Sequence, residues 1–217
     1  MVFSGFEFMG EKPFTDIIIH PTVLTKDGKR MSKSLGTGVD PIAMADKYGA
    51  DAMRFGLIHQ MMGGQDIKFD ESALAAGKKF ANKLWNISRF VLTQTGNNKL
   101  QSAPPAGGRQ TKEDKEIIEK LDKTIKSATK NIDDYKFGQA LRTIYDFVWH
   151  DFADVYIEYS KTKSADKVKE TLFHVLVNTL KIIHPFMPFI TEEIWSMLPS
   201  DDGKEKKLLI IEKWPSI

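Results

Sequence analysis

From Asp70 onward, apolar and small residues recur at alternating steps of three and four along the chain. This spacing is typical of one face of an α-helix that packs against other helices. Asp70 can cap the start of such a helix, and Gly96 is of the type that ends one. The pattern predicts a helix of about 25 residues, roughly 37 Å long. Its packing face consists of Leu74, Gly77, Ala81, Leu84, Ser88 and Val91.

Two further helical stripes follow residues 96–110, whose Asn, Pro and Gly residues favour a flexible connection. Thr111 and Asp114 are spaced as a capping pair at the start of the next helix. The first stripe predicts that helix, and the second predicts a helix that runs to about Lys163. In order, the two stripes are Ile118, Leu121, Ile125, Ala128 and Ile132, then Leu141, Ile144, Val148, Phe152, Val155 and Tyr159.

A last long stripe begins after Ser164 and ends where Pro185 and Pro188 forbid an unbroken helix. Thr191 is predicted to begin a short final helix, and residues 208–214 are predicted to be extended. The stripe consists of Val168, Leu172, Val175, Thr179 and Ile183.

The first 69 residues have a mixed pattern. Residues 2–9 and 16–24 are predicted to be extended. A short helix is predicted after Asp40, which can cap it, and a second from about Asp51. Residues 65–69 are predicted to form a short strand.

The predicted fold is therefore mainly α. A small α/β segment at residues 1–69 precedes an antiparallel helical bundle at residues 70–217. Such bundles serve many functions, so the fold alone does not decide the function.

The composition is that of a globular protein, with 41% hydrophobic and 28% charged residues. The longest apolar runs are four residues, which predicts no membrane span. Cysteine is absent, which excludes disulfides and thiolate metal sites and favours a cytoplasmic location. The net charge of +2 does not indicate a nucleic-acid binder, so any anion site must come from local clustering.

The strongest local cluster is a basic segment at residues 26–36, which we call the signature loop. Four cations, Lys26, Lys29, Arg30 and Lys33, are opposed only by Asp27, and the segment also contains two glycines and two serines. Mobile cations and hydroxyl donors suit a polyphosphate ligand. The alternative is a solvated basic loop without a ligand.

The order of residues within the loop adds to this picture. Arg30, Met31, Ser32, Lys33 and Ser34 closely resemble the KMSKS signature of class I aminoacyl-tRNA synthetases. The segments at 48–55, 64–67 and 80–90 resemble valyl-tRNA synthetases in particular. The segments at 146–149 and 184–193 resemble the anticodon-binding bundle of the valyl, isoleucyl and leucyl group.

This resemblance implies a ligase that activates valine with ATP and transfers it to tRNA(Val). It implies that Lys33 is the catalytic residue, which stabilises the ATP phosphates in the transition state. It implies that ATP, accompanied by Mg²⁺, contacts Lys29, Arg30, Met31, Ser32, Lys33 and Ser34. Arg30 departs from the first lysine of the signature, and it keeps the charge but not the compact ammonium.

A second signature of the class, HIGH, is missing, because the five histidines include no His-x-Gly-His pair. The chain is therefore expected to be a C-terminal piece of a larger enzyme and to be inactive alone, without bound ATP. The histidines also show no ligand spacing, so no metal site is expected. A monomer is expected.

The remaining activity is RNA recognition by the long helix after Asp70. Lysine and arginine can contact phosphates, asparagine can contact base edges, and phenylalanine can stack on an unpaired base. The residues expected to contact the anticodon, which we call the anticodon face, are Lys79, Lys83, Asn86, Arg89 and Phe90.

Each of these residues also has an ordinary structural interpretation. Lys79, Lys83 and Asn86 fit a solvated helix face, and Phe90 lies beside the apolar stripe and could pack there. Two other functions stay open. One is the same region of an isoleucyl- or leucyl-tRNA synthetase, and the other is a free-standing helical interaction module that binds no RNA.

Overall fold

A computed structural model describes residues 1–32, 34–61, 65–96, 110–163, 166–199 and 207–216. The fold is mainly α, as predicted. The helices are α1 Val2–Met9, α2 Pro41–Tyr48, α3 Ala50–His59, α4 Glu71–Thr95, α5 Lys112–Asp133, α6 Phe137–Asp146, α7 Glu158–Ser160, α8 Asp166–Ile183 and α9 Pro188–Met197. A π-helical segment, Phe147–Ile157, joins α6 to α7, and a 3₁₀ turn, Leu209–Ile211, follows α9. The strands are β1 Val23–Leu24 and β2 Ile67–Lys68.

The two short strands pair in parallel, with Val23 opposite Ile67 and Leu24 opposite Lys68. The prediction of a strand within residues 65–69 is confirmed. Residues 16–24 are predicted to be extended, and only the last two of them, Val23 and Leu24, form a strand.

The prediction that residues 2–9 are extended is wrong, because Val2–Met9 is an α-helix ended by Gly10 at φ 69°. None of its residues is buried, and no strand in the described part of the chain pairs with it. Backbone groups without a neighbouring strand are satisfied by local hydrogen bonds, which a helix supplies.

The predicted helix caps in this region are confirmed. The Asp40 carboxylate accepts a hydrogen bond from the N–H of Ile42 at 2.9 Å, with Pro41 in the first helical position. The Asp70 carboxylate accepts from the N–H of Ser72 at 3.0 Å and caps α4. These side chains satisfy backbone donors that have no partner within the helix.

Helix α4 has the predicted bounds of 25 residues, ended by Gly96. Five of its six predicted packing residues are buried, Ala81 being half-buried. Phe80, which the stripe omitted, is 0% exposed. It packs between α3 and α6, against Phe55 and Tyr145.

Helix α5 begins with the predicted capping box. Thr111 and Asp114 exchange side-chain to backbone hydrogen bonds of 3.1 and 2.9 Å. Asp114 is buried and also accepts a hydrogen bond from the hydroxyl of Tyr156 at 2.5 Å. Burial raises the pKa of Tyr156, and the Asp114 carboxylate adds to that shift. Ile117 is buried in place of Ile118, which is half-buried.

The predicted stripe through α6 is confirmed as far as Phe152 and is wrong beyond it. Val155 is 60% exposed, and Tyr159 is only half-buried. The buried residues there are Tyr156 and Ile157. A π-helix bonds residue i to i+5, so each turn holds more residues than an α-helical turn, and the buried stripe advances further along the sequence.

The last helices pack as predicted, with one change of boundary. All five stripe residues of α8 are buried. Helix α9 begins at Pro188 rather than Thr191, since proline is tolerated in the first turn, where its missing N–H is not needed. Residues 208–214 hold a 3₁₀ turn instead of a fully extended tail. The indole N–H of Trp214 donates to Thr129 on α5 at 2.8 Å.

Helix α3 joins the α/β segment to the bundle. Phe55 is 1% exposed within the main core. Arg54 donates to the carbonyls of Pro185 and Phe186 at 2.9 and 3.3 Å, and Arg142 donates to the carbonyl of His59 at 2.9 Å. The division of the chain at residues 69 and 70 stays a prediction.

Candidate functional site

The first half of the signature loop is a tight hairpin. Leu24 and Arg30 form an antiparallel bridge, and the N–H of Thr25 donates to the carbonyl of Lys29 at 2.8 Å. Gly28 has φ 79°, a conformation that favours glycine. The hairpin presents the exposed side chains of Lys29 and Arg30 to solvent.

The second half of the loop is closed by Thr37. Its hydroxyl accepts a hydrogen bond from the N–H of Ser32 at 3.0 Å, and its own N–H donates to the carbonyl of Ser32 at 3.2 Å. The hydroxyls of Ser32 and Ser34 lie 2.8 Å apart. Lys33, the residue predicted to be catalytic, lies outside the described residues. Met31 and Ser32 are half-buried, and Ser34 is exposed.

The loop is connected to the start of α4 by the strand pair. The N–H of Phe69 donates to the carbonyl of Leu24 at 2.9 Å, and the N–H of Thr22 donates to Asp66 at 2.9 Å. Asp70, the cap of α4, follows directly. A hydrogen bond from Ser72 lowers the pKa of Asp70. The signature loop and α4 therefore begin from one short ladder.

The anticodon face extends along the middle of α4. Lys79, Asn86 and Arg89 are exposed, whereas Phe90 is half-buried and packs against the main core. Within the described residues, Lys79 and Arg89 form no salt bridge, so their charges are available to an anion.

Lys83 differs from the other cations of the anticodon face because it has partners on the π-helical segment. Its ammonium lies 2.7 Å from Asp154 Oδ1 and 3.9 Å from the ring centroid of Trp149. The side chain is only 23% exposed. A salt bridge and a cation–π contact thus hold one amine on two sides.

An unbroken series of ring contacts runs from α3 to Lys83. His59 stacks on Phe55, with ring centroids 5.2 Å apart. The series continues through Phe80 and Tyr145 to Trp149 at centroid distances of 5.2, 5.0 and 5.4 Å. This cluster fixes Trp149, and through it Lys83, to the core of the bundle.

The sequence does not indicate that Trp149 and Asp154 are neighbours of the anticodon face. They are five residues apart, and in a π-helix residues five apart are hydrogen-bonded neighbours along the axis. A period of 3.6 does not place them together. Trp149 lies in the segment 146–149 that resembles the anticodon-binding bundle, and nothing in the local sequence singles out Asp154.

Other features of the described residues are distinct from this surface. No group of three or more His, Asp or Glu side chains in that part of the chain could hold a metal ion. None of its helices combines the length and the apolar character that crossing a membrane requires. A cavity of about 400 Å³ lies between α3, α5 and Trp214, and its walls are mostly apolar.

The comparisons with known proteins match both regions of the chain. The family model for tRNA synthetases class I (I, L, M and V) matches residues 1–70, and the model for the anticodon-binding domain of tRNA ligase matches residues 114–217. Both regions of the chain are thus similar to class I tRNA synthetases. The resemblance seen in the signature loop is thereby confirmed.

Relatives that align with the whole chain include valine–tRNA ligases. The enzyme from Bacillus thuringiensis subsp. konkukian is 42% identical over 224 residues, and the one from Thermotoga maritima is 45% identical over 221 residues. Each alignment covers 100% of this chain and 25% of the relative. The chain therefore spans about a quarter of the length of the curated relatives it matches.

Solved structures of the class share the fold. The chain matches the Agrobacterium radiobacter K84 LeuRS–tRNA–LeuAMS ternary complex with a TM-score of 0.78 and 23% identity, over 95% of this chain and 24% of that one. It matches Mycobacterium tuberculosis methionyl-tRNA synthetase in complex with methionyl-adenylate with a TM-score of 0.62 and 24% identity, over 79% of this chain and 36% of that one.

Proposed function

We propose that the chain is the tRNA-binding part of a valine–tRNA ligase, which joins valine to tRNA(Val) with ATP. The observation that carries this proposal is the identity of 42% to valine–tRNA ligases over the whole chain. The isoleucyl and leucyl alternatives share the class but have a different amino acid and tRNA as substrates.

Within this function, the signature loop approaches the ATP phosphates. Lys29, Arg30 and Lys33 supply charge, and Ser32 and Ser34 supply hydroxyl donors. Lys33 stabilises the negative charge that develops on the phosphates, as preorganised cations do in phosphoryl chemistry. Mg²⁺ accompanies ATP in the complete enzyme.

The anticodon face binds the anticodon loop of tRNA(Val). Lys79 and Arg89 are exposed and contact phosphates, and Asn86 contacts a base edge. Phe90 is half-buried, so one part of its ring is accessible for stacking on an unpaired base. Lys83 lies within the same face and holds its pair with Asp154.

A comparison of two tRNAs tests the proposed substrate. Fluorescently labelled tRNA(Val) and tRNA(Ile) transcripts are titrated with the chain at one fixed salt concentration, because RNA affinity depends strongly on salt. Tighter binding of tRNA(Val) is the expected result. Preference for tRNA(Ile) would favour the isoleucyl alternative, and absence of binding would favour the interaction module.

The chain alone is proposed to lack ligase activity. Valine-dependent ATP–pyrophosphate exchange should be absent from the purified chain, since the HIGH signature is missing from its sequence. Exchange above the background of a Lys33→Ala variant would contradict this. We also propose a monomer located in the cytoplasm, and sedimentation velocity would test the first of these.

A further inference from the structure

The contact between Lys83 and Asp154 suggests a role for Lys83 other than the RNA contact that the sequence indicates. The sequence predicts that Lys83 contacts RNA as a cation. Its ammonium is already paired with Asp154 at 2.7 Å and covered by Trp149 at 3.9 Å from the ring centroid. A phosphate would have to displace a carboxylate from a partly desolvated amine, whereas Lys79 and Arg89 are exposed cations on the same helix.

Asp154 is the exposed member of the pair. Its side chain is 50% exposed, more than twice the value for Lys83. Oδ1 is bound by Lys83, while Oδ2 lies 3.7 Å from Nδ1 of His150, beyond hydrogen-bond distance. Oδ2 is therefore able to accept a further hydrogen bond from outside the protein.

An ionised carboxylate in this position selects the chemistry of its ligand. It can only accept hydrogen bonds, and it repels phosphate oxygens. Unpaired bases present amino and imino N–H groups along their edges, which are donors that a carboxylate can bind. A carboxylate held by Lys83 thus favours a base edge over the RNA backbone.

We propose that Asp154 is a specificity-determining residue, which accepts a hydrogen bond from the N–H edge of an unpaired anticodon base, and that Lys83 is a positioning residue that holds Asp154. The inference rests on the proposed function, since it requires that the anticodon face binds tRNA(Val). Trp149 completes the arrangement by fixing the lysine to the aromatic cluster of the core.

Lys83 could neutralise a phosphate or position Asp154, and the two roles predict a different dependence of tRNA affinity on salt. A lysine that neutralises a phosphate contributes about 0.7 to the slope of log affinity against log salt for single-stranded RNA. A positioning lysine contributes nothing to that slope. The slope therefore distinguishes the two roles even when both substitutions weaken binding.

The test measures dissociation constants for a tRNA(Val) transcript at several salt concentrations, using the whole chain. Lys83→Met and Asp154→Ala are expected to weaken binding by about 5- to 100-fold, the range of one base-edge contact. The salt slope should stay that of the unmodified chain. Lys83→Arg should retain most of the affinity, because it keeps the ion pair and the cation–π contact.

The matched control is Asp151→Ala. Asp151 lies on the same π-helical segment and forms a comparable salt bridge, 2.8 Å from Lys120 on α5. Its removal changes the net charge equally, but away from the anticodon face, and should leave discrimination between anticodons unchanged. Thermal unfolding of each variant separates a binding defect from a folding defect.

Transcripts of tRNA(Val) altered at one anticodon base at a time identify the base that Asp154 contacts. Asp154→Ala should lose discrimination at one base and keep it at the others. The proposal is overturned if Lys83→Met lowers the salt slope as Arg89→Ala does, or if Asp154→Ala raises or does not change the affinity. If the unmodified chain binds no tRNA, the proposed function itself fails, and that result is visible before any variant is compared.

Discussion

The Asp51 carboxylate accepts a hydrogen bond from the backbone N–H of Ile190 at 2.7 Å, across 139 positions of the sequence. The same carboxylate accepts a longer bond of 3.3 Å from the N–H of Phe189. A side chain near the start of α3 thus caps the first turn of α9, where backbone donors have no partner within the helix. This contact joins the region of the signature loop to the end of the bundle.

We expect Asp51→Ala to lower the free energy of unfolding by about 0.5–2 kcal/mol, since it removes the acceptor that caps the first-turn N–H groups of α9. Denaturation in urea measures the change. Asp46→Ala on α2 is the control, because Asp46 is exposed. Equal effects of the two substitutions would show that the cap does not stabilise the junction.

Two half-buried histidines, His59 and His184, predict a loss of stability in mild acid. Desolvation lowers the pKa of His59 and of His184. A base whose pKa is lower in the folded state stabilises the protein fully above its unfolded pKa of about 6.5, and this contribution is lost as the pH falls through the folded pKa. The urea midpoint should therefore fall between pH 7 and pH 5. His59→Gln should reduce that fall.

His150→Gln is the matched control for this measurement, because it replaces a histidine whose side chain is 65% exposed. If the urea midpoint falls equally in the unmodified chain and in His59→Gln, His59 does not cause the loss of stability in acid.

The π-helical segment predicts which side chains of that region carry stability. Ile157→Ala should cost about 2–5 kcal/mol, the usual range for truncating a buried isoleucine, since Ile157 is 6% exposed. Val155→Ala should change the free energy of unfolding by less than about 0.5 kcal/mol, as exposed positions usually do. The reverse order would indicate a regular α-helix with the period that the sequence suggests.

Much of the fold could be predicted because its signals are local. The caps at Asp40, Asp70 and Thr111 and the ends of α4 depend on a few neighbouring residues, and the structure confirms them. The signature loop was recognisable for the same reason, since its residues are contiguous.

The features that were missed depend on distant contacts or on an unusual winding. Alternating apolar residues at 2–9 suggest a strand, but a strand requires a partner that the described part of the chain does not supply. The burial of Tyr156 in place of Val155 follows from π-helical hydrogen bonds, which no local sequence pattern predicts. The pairing of Lys83 with Asp154 joins residues 71 positions apart.

Exposed cations of the anticodon face predict a salt-dependent contribution to RNA affinity. Arg89→Ala should weaken tRNA(Val) binding and lower the slope of log affinity against log salt by about 0.7. Lys115→Ala on α5 removes the same charge from an exposed position outside the anticodon face and should have a smaller effect. If the two variants lose the same affinity for tRNA(Val), the affinity depends on the overall charge of the chain and not on the anticodon face.

The binding predictions above all require that the bundle recognises the anticodon of tRNA(Val). The most direct measurement compares binding of the chain to tRNA(Val) and to the same transcript with its three anticodon bases replaced, at one salt concentration. The altered transcript should bind at least about tenfold more weakly, because it loses one or more base contacts. Equal affinity for the two transcripts would contradict this recognition.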